Sequence, residues 1–308
     1  MSLTVRIFKI LMKALVKIIS RIISLLPNSF SVFLGSRGWT NLIKQSPKVE
    51  FTAKLYSSIY KINVRGDFQV ERMATKNRPF QYDPFLGLSQ IDLDGKTAID
   101  IGANIGSISI GLVALGCHKV YSIEPGPAHA RLLDNIKLNK LDEVVIPYKI
   151  GLDSKSGELF WAEDKNNPGN AHLLKSLDEI DFKKIPTKFE QTEFIRVPVT
   201  TIDELFSKGV DGSIDIIKID VEGMEWKVLS GGKDLIKSHL PIVVAETHRV
   251  ASDMMRYDCM TPMFQFFYAL GYRTFSLNDS NELIEFIYPN FGFDTFFIHE
   301  DNMGLVTF

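Results

Sequence analysis

A glycine-rich turn between a buried strand and an apolar helix constrains this chain more than any other feature. The segment from Lys96 to Gly106 is KTAIDIGANIG, and the apolar run ISIGLVAL follows it at residues 108–115. The pattern predicts a strand over 97–101, a tight turn over 102–106 and a helix over 105–115. Such a turn leaves unpaired backbone N–H groups at the carboxyl end of the strand, and its small residues let a ligand approach closely. The sequence therefore predicts a nucleotide-binding pocket at this turn.

A carboxylate follows the turn at the spacing of a ribose-binding acid. The next predicted strand, residues 119–124, ends in Glu124, which lies 22 residues after Gly102. In βαβ units of nucleotide-binding proteins, an acid about 20 residues beyond the glycine turn binds the ribose hydroxyls. We therefore expect Glu124 to hold the sugar of a nucleotide.

Two residues of the turn indicate which nucleotide is bound. A dinucleotide fingerprint has glycine where Asn104 stands, because the pyrophosphate crowds the backbone there. Asp100 precedes Gly102 by two residues, and its charge would repel a pyrophosphate but attract the cationic amino acid part of S-adenosylmethionine. The pattern D-x-G-A-N-x-G, followed by a strand ending in Glu, resembles motifs I and II of class I methyltransferases. A dehydrogenase with a variant glycine loop is the alternative with the same fold.

Strands and helices alternate along the chain from residue 96 onward. This rhythm predicts an α/β fold with a mostly parallel, Rossmann-like sheet of the class I methyltransferase type and helices on both faces. A hairpin of the predicted strands 272–277 and 294–299 would supply the antiparallel last strand of that class. An N-terminal helical and hairpin extension would precede the sheet.

Two later strands deliver further polar side chains to the same edge of the sheet. Residues 214–220 end in Asp220, and Glu222 follows in what we predict to be the start of a helix. Residues 241–246 end in Glu246, and His248 comes two positions later. Because the carboxyl ends of parallel strands share one edge, we expect all four of these side chains to lie near the glycine turn.

Other segments have a weaker pattern. Residues 51–64 and 68–73 alternate well enough to predict a β-hairpin around an Arg-Gly-Asp turn. Residues 77–90 are rich in proline, aromatic residues and aspartate, which predicts a loop. Residues 151–193 predict a surface excursion with one short strand at 158–161.

Charge is distributed unevenly along the chain. Residues 1–49 carry eight basic residues and no acid, and the remainder holds 27 basic against 37 acidic residues. An acidic body argues against nucleic acid as a partner. Residues 5–26 have bases at intervals of four, which predicts a basic amphipathic helix in peripheral contact with an anionic membrane. Packing on the domain and cleavage as a targeting peptide are the alternatives, whereas its uncharged runs are too short to span a bilayer.

Length and cysteine content complete the outline. The 308 residues divide into a basic N-terminal extension at 1–50, a hairpin or cap at 51–95 and a cofactor-binding domain at 96–308. The two cysteines are far apart in sequence, which suits a reducing compartment. We therefore predict a cytoplasmic protein, peripheral at the membrane if the leader binds there.

Several short motifs over roughly residues 95–300 together indicate a family. They are IDIGANIG at 99–106, SIEP at 122–125, GLDS at 151–154, VPVTTIDEL at 197–205, IKIDVEGME at 217–225, VLSG at 228–231 and AETH at 245–248. With these motifs the chain resembles the FkbM family of S-adenosylmethionine-dependent methyltransferases, and K-x-D-x-E-G-x-E is the most specific element.

The resemblance implies methyl transfer to a hydroxyl oxygen, on a sugar, glycan or polyketide-type small molecule. By position, the turn residues would surround the methionine part of the cofactor, while Glu124 and Pro125 would hold the ribose. The turn residues concerned are Asp100, Gly102, Ala103, Asn104 and Gly106.

The reaction also needs an acceptor for the proton of the hydroxyl group. His248 is the first candidate, because an unperturbed imidazole has a pKa of about 6.5. Glu246 or Glu222 would orient His248 or bind the hydroxyl groups of the acceptor. Asp220 would lie beside them at the same strand ends. The same carboxylates form an oxygen-only ligand set for Mg²⁺, and the sequence leaves this alternative open. A membrane-surface interaction protein that keeps the fold without chemistry is the non-enzymatic alternative.

Overall fold

An eight-stranded sheet carries the predicted site at one of its edges. The computed structural model describes residues 49–55, 58–64, 82–164, 167–174, 192–207, 210, 212–247, 260–289 and 294–306. The strands are β1 (Val49–Leu55), β2 (Ser58–Val64), β3 (Thr97–Ile101), β4 (Lys119–Ile123), β5 (Val145–Tyr148), β6 (Gly151–Leu152), β7 (Gly157–Asp164), β8 (Asn167–Leu174), β9 (Thr192–Thr200), β10 (Ile216–Ile219), β11 (Ile242–Glu246), β12 (Tyr272–Leu277), β13 (Leu283–Phe286) and β14 (Asp294–His299).

The helices alternate with the strands of the large sheet over most of its length. They are α1 (Tyr82–Leu88), α2 (Ser107–Ala114), α3 (His129–Asn139), α4 (Ile202–Leu205), α5 (Glu225–Ser230), α6 (Lys233–His239), α7 (Met260–Ala269) and a final 3-10 helix (Glu300–Leu305). Among the helices of the described ranges, none has the length and apolarity needed to cross a bilayer.

The strand order of the large sheet confirms the predicted topology. It runs β13-β12-β14-β11-β10-β3-β4-β5, and the five strands from β11 to β5 are parallel to one another. The last strand, β14, is antiparallel to both β11 and β12, with Val244 opposite Phe296 and Thr274 opposite Phe297. The predicted strands 272–277 and 294–299 do pair, but they do not form the predicted hairpin, because β13 lies between them in the chain and pairs with the other side of β12.

Strand alternation divides the core between the two faces of the sheet. In β11, Ile242 and Val244 pack with one apolar cluster, whereas Val243 and Ala245 pack with the other. Both faces are therefore buried, and such strands have the continuous apolar sequence of a covered parallel sheet. This layering fixes the carboxyl ends of β3, β4, β10 and β11 along one edge.

A second, four-stranded sheet corrects the prediction for residues 151–193. Its order is β6-β9-β7-β8, and β7 is antiparallel to both β8 and β9. The predicted strand at 158–161 is part of the longer β7, but β8 was not predicted. The Asn-Pro-Gly sequence at 167–169 suggested a turn, yet β8 is an edge strand, where proline is tolerated.

Two N-terminal predictions were also wrong in detail. Strands β1 and β2 form a hairpin in which Leu55 pairs with Ser58, so residues 51–64 hold both strands of the hairpin. No glycine, proline or asparagine marks that reversal, which explains why periodicity missed it. Residues 82–88 form helix α1 instead of a loop, and Phe85 and Leu88 are fully buried in the core. The predicted strand 68–73 and the leader 5–26 lie outside the described residues, so both stay predictions, as does the division into domains.

Candidate active site

The glycine turn adopts the left-handed backbone conformation that its sequence suggested. The backbone φ angles are 78° at Gly102, 50° at Asn104 and 89° at Gly106. Glycine is required at 102, because a Cβ there would lie 2.0 Å from the backbone oxygen of Asp220. Asparagine is one of the few other residues that adopt this conformation. The turn thus brings the end of β3 into contact with the end of β10.

The backbone N–H groups of the turn differ from expectation. We expected unpaired donors, but the N–H groups of Gly102 and Ala103 both donate to the carbonyl of Ile123, each at 3.0 Å. The N–H of Gly106 donates to Ala103 at 2.8 Å. These donors are already used within the protein, so they offer little to the phosphate of a dinucleotide. The prediction of unpaired N–H groups is therefore wrong at these three positions.

Glu124 ties the turn to the loop that follows β4. Its carboxylate accepts a hydrogen bond from the N–H of Asn104 at 2.9 Å and another from the N–H of Gly126 at 2.7 Å. The side chain is only 3% exposed, and Pro125 beside it is buried. Glu124 therefore fixes both the glycine turn and the loop after β4.

Asp100 lies beneath the turn in a fully buried position. Ser109 donates to its Oδ2 at 2.5 Å, and Ser122 donates to Ser109 at 2.7 Å. Its other oxygen, Oδ1, has no hydrogen-bond partner among the described residues. Removal from water raises the pKa of Asp100, although the charge of Lys218 opposes this effect.

Lys218 is a buried cation between these acids, and sequence reasoning gave it no role. It is 2% exposed, and its Nζ lies 3.1 Å from Oδ2 of Asp220. Burial by itself would lower its pKa, but the carboxylates of Asp220, Asp100 and Asp294 together raise it above its usual value. The sequence did contain a sign of this role, because a lysine within the apolar strand Ile-Ile-Lys-Ile must be buried on either face of the sheet.

Three carboxylates converge beyond the ends of β10 and β11. One oxygen each of Asp220, Glu222 and Glu246 lies within 4.8 Å of the others. Removal from water, together with the charge of Asp220, raises the pKa of Glu222 and Glu246 well above the usual range for a carboxylic acid. The cluster therefore holds protons, or cations, at a pH where isolated glutamates would be ionised.

The turn that carries Glu222 precedes the helix instead of opening it. Helix α5 begins at Glu225, because Glu222 and Gly223 have φ angles of 54° and 94°, outside the helical region. The Oε1 atom of Glu225 accepts from the N–H groups of Val221 and Gly223, at 3.1 and 3.2 Å. Its Oε2 atom has no hydrogen-bond partner in the described part of the chain. Burial raises the pKa of Glu225 to about 7.

Comparison with known proteins agrees with this arrangement. The family model described as the methyltransferase FkbM domain matches residues 100–294, well over half of the chain. The chain belongs to the FkbM methyltransferase family. The matched segment runs from Asp100 to Asp294 and so includes the glycine turn, Glu124 and the carboxylate cluster.

Individual relatives of this FkbM methyltransferase are distant. One is the hexuronic acid methyltransferase AglP of Haloferax volcanii, 27% identical over 150 residues that cover 48% of this chain and 54% of the relative. The chain thus spans about half the length of that relative. The crystal structure of methyltransferase FkbM from Methylobacillus flagellatus is 15% identical, covers 74% of this chain and 52% of that one, and has a TM-score of 0.43. Precorrin-6y C5,15-methyltransferase from Geobacter metallireducens is 14% identical, with coverage of 71% and 87% and a TM-score of 0.37.

Family membership favours a methyltransferase over the oxidoreductase and the non-enzymatic alternatives. The structure brings Asp100, Asp220, Glu222 and Glu246 to one edge, while Glu124 closes the other side of the turn. Their individual roles stay predictions. His248, the predicted base, lies outside the described residues.

Proposed function

We propose that this FkbM methyltransferase transfers a methyl group from S-adenosylmethionine to a hydroxyl oxygen of a sugar-type acceptor. The observation that carries the proposal is the charge of the pocket beside the glycine turn. The N–H groups of Gly102 and Ala103 are used internally, whereas buried carboxylates crowd the same edge. Such a pocket suits a cationic ligand and disfavours a phosphate.

The residues of the turn fit the shape and charge of this cofactor. The absence of a side chain at Gly102 lets the turn pack closely on the backbone of Asp220, and the unpartnered Oδ1 of Asp100 is a buried acceptor beneath it. Glu124 would accept from the ribose hydroxyls, and the turn from Gly102 to Gly106 would surround the methionine part. When bound, S-adenosylmethionine supplies an electrophilic methyl group.

The carboxylate cluster would receive the proton of the acceptor. As the bond from methyl carbon to acceptor oxygen forms and the bond to sulfur breaks, the hydroxyl proton must leave. Burial and the charge of Asp220 raise the pKa of Glu222 and Glu246, so whichever of the two is ionised when the acceptor binds holds a proton more strongly than an isolated glutamate and would receive it. Asp220 is held by Lys218 and would orient the acceptor hydroxyl beside them. The sequence predicted His248 as the first candidate for this base, with Glu246 or Glu222 orienting it, and that role stays a prediction.

A divalent cation is the second candidate role for this cluster. The oxygens of Asp220, Glu222 and Glu246 lie within 4.8 Å of one another. Ligand oxygens about 2.1 Å from Mg²⁺ are separated by at most about 4.2 Å, so a small movement would seat the ion. Calorimetric titration of chelator-treated protein with Mn²⁺ distinguishes the two roles. Binding that Asp220→Asn abolishes favours the cation, and no binding favours the proton acceptor.

The acceptor class rests on the relative named for hexuronic acid. We expect the chain to methylate a glycoside hydroxyl, and two matched acceptors, a glucuronoside and a glucoside, test whether a sugar carboxylate is needed. Transfer of labelled methyl to either one supports a sugar acceptor. Labelling of neither, with cofactor binding intact, contradicts it.

Calorimetric titration with S-adenosylhomocysteine tests the cofactor directly. We expect binding in the micromolar range, weakened about 10-fold or more in Glu124→Ala through loss of charge-assisted hydrogen bonds. Glu158→Ala is the matched control, because Glu158 is exposed on the second sheet and pairs loosely with Arg196. A wild-type protein that binds no S-adenosylhomocysteine would refute the proposed function.

A further inference from the structure

The second sheet reaches the candidate cofactor site through one aromatic side chain, Trp161. Along β7, Leu159 and Trp161 point to the same face, because side chains alternate along a strand. Leu159 is 6% exposed and packs with Val197 and Val199 of β9, and Trp161 packs against this small cluster. This face is therefore the packed face of the second sheet.

Trp161 contacts the loop that follows β4 at Gly126. A Cβ atom placed on Gly126 would lie 2.4 Å from Cζ2 and 2.5 Å from Cε2 of the indole. The same point is 2.9 Å from Oε1 of Glu124, which accepts a hydrogen bond from the N–H of Gly126. Any side chain at 126 would push the indole away. The indole and the predicted ribose-binding carboxylate thus meet at one residue.

The indole N–H has no acceptor within the described part of the protein. Nε1 of Trp161 is buried, and no described residue accepts a hydrogen bond from it. A buried tryptophan N–H normally finds a partner, because leaving a donor unpaired away from water is costly. Its bonded neighbour Cε2 is one of the atoms closest to Gly126, the residue whose N–H donates to Glu124.

We propose that Trp161 is a cofactor-binding residue, whose ring forms a wall of the nucleoside pocket and whose N–H donates to a ribose hydroxyl oxygen. Glu124 accepts hydrogen bonds from the ribose hydroxyls while Trp161 donates one to a hydroxyl oxygen. The pair therefore recognises a hydroxyl group both as a donor and as an acceptor. The second sheet, which lies outside the Rossmann-like core, then has a function in cofactor binding. This proposal rests on the proposed function, because it requires an adenosine ligand.

Trp161→Phe is the sharpest test, because it keeps an aromatic ring and removes only the donor and part of the surface. We expect its affinity for S-adenosylhomocysteine to fall about 3- to 10-fold, the scale of one neutral hydrogen bond. 5′-Methylthioadenosine, which contains the nucleoside without the amino acid, should lose affinity by the same factor. Trp226→Phe is the matched control, since Trp226 packs on Phe266 of α7 instead.

Two further readouts separate ligand binding from a structural role. The Trp226→Phe protein retains Trp161, and its fluorescence should change on addition of S-adenosylhomocysteine, whereas the Trp161→Phe protein should lose that response. The melting temperature of ligand-free Trp161→Phe should equal that of the wild type. Unchanged affinities, or a lower melting temperature with unchanged affinities, would overturn the proposal. A wild-type protein that binds neither probe would refute the proposed function, and this inference with it.

Discussion

Glu225 allows a direct test of how burial at the candidate site changes the pKa of a carboxyl group and the stability of the protein. Its side chain is 1% exposed, and burial raises its pKa from 4.5 to about 7. Because the folded-state pKa lies above the unfolded-state pKa, the folded protein holds the proton within this window. The free energy of unfolding therefore falls as the pH rises from 4.5 toward 7. Above pH 7 the group is ionised in both the folded and the unfolded protein, and the loss of stability is complete.

Replacing Glu225 with glutamine should remove this cost. The amide oxygen can keep both hydrogen bonds from Val221 and Gly223, and the amide NH₂ takes the place of the unpartnered Oε2. A pKa difference of about 2.5 is equivalent to about 3 kcal/mol. We subtract the free energy of unfolding of the wild type from that of Glu225→Gln. This difference should be about 2–3 kcal/mol larger at pH 8 than at pH 5.

Urea-induced unfolding at the two pH values measures this gain. The exposed Glu158→Gln serves as the control and should change stability by less than about 0.5 kcal/mol at either pH. If the difference between Glu225→Gln and wild type is the same at pH 5 and pH 8, then Glu225 ionises normally and the reasoning is refuted.

Two other substitutions test the packing that positions the site. Lys218→Met should lower the free energy of unfolding by about 3–5 kcal/mol in urea unfolding, because the buried Asp100 and the half-buried Asp220 both lose a neighbouring positive charge; an unchanged free energy of unfolding would contradict this pairing. Gly111→Ala should cost about 1–3 kcal/mol, because its Cβ would lie 1.8 Å from the ring of Phe85. Gly304→Ala, which meets nothing within 4 Å, is its control, and equal melting temperatures for the two variants would contradict the close contact between α1 and α2.

Part of the site was predictable because it depends on local pattern. The glycine turn and the strand that ends before Glu124 are both set within a few residues. Apolar runs between these signals placed the strands of the large sheet, and their parallel order followed from the alternation with helices.

Other features depend on partners that are distant in sequence. The turn's N–H groups were expected to be free, but the carbonyl of Ile123 on the neighbouring strand accepts two of them. Edge strand β8 forms because β7 supplies its hydrogen bonds, although its own sequence favours a turn. Trp161 was not predicted as a site residue, because nothing local shows that β7 packs on Gly126.

The sequence alone determined the α/β class, the edge of the sheet that carries the site and the residue types at that edge, because period-two and helical patterns and glycine turns act over short range. Only the tertiary structure decided which charged groups of the candidate site lie next to one another. It buried Lys218 against Asp220 and brought Glu222 and Glu246 within reach of the same point. The pKa of each carboxylate depends on desolvation and on neighbours from other strands, and both arise only when the strands are assembled.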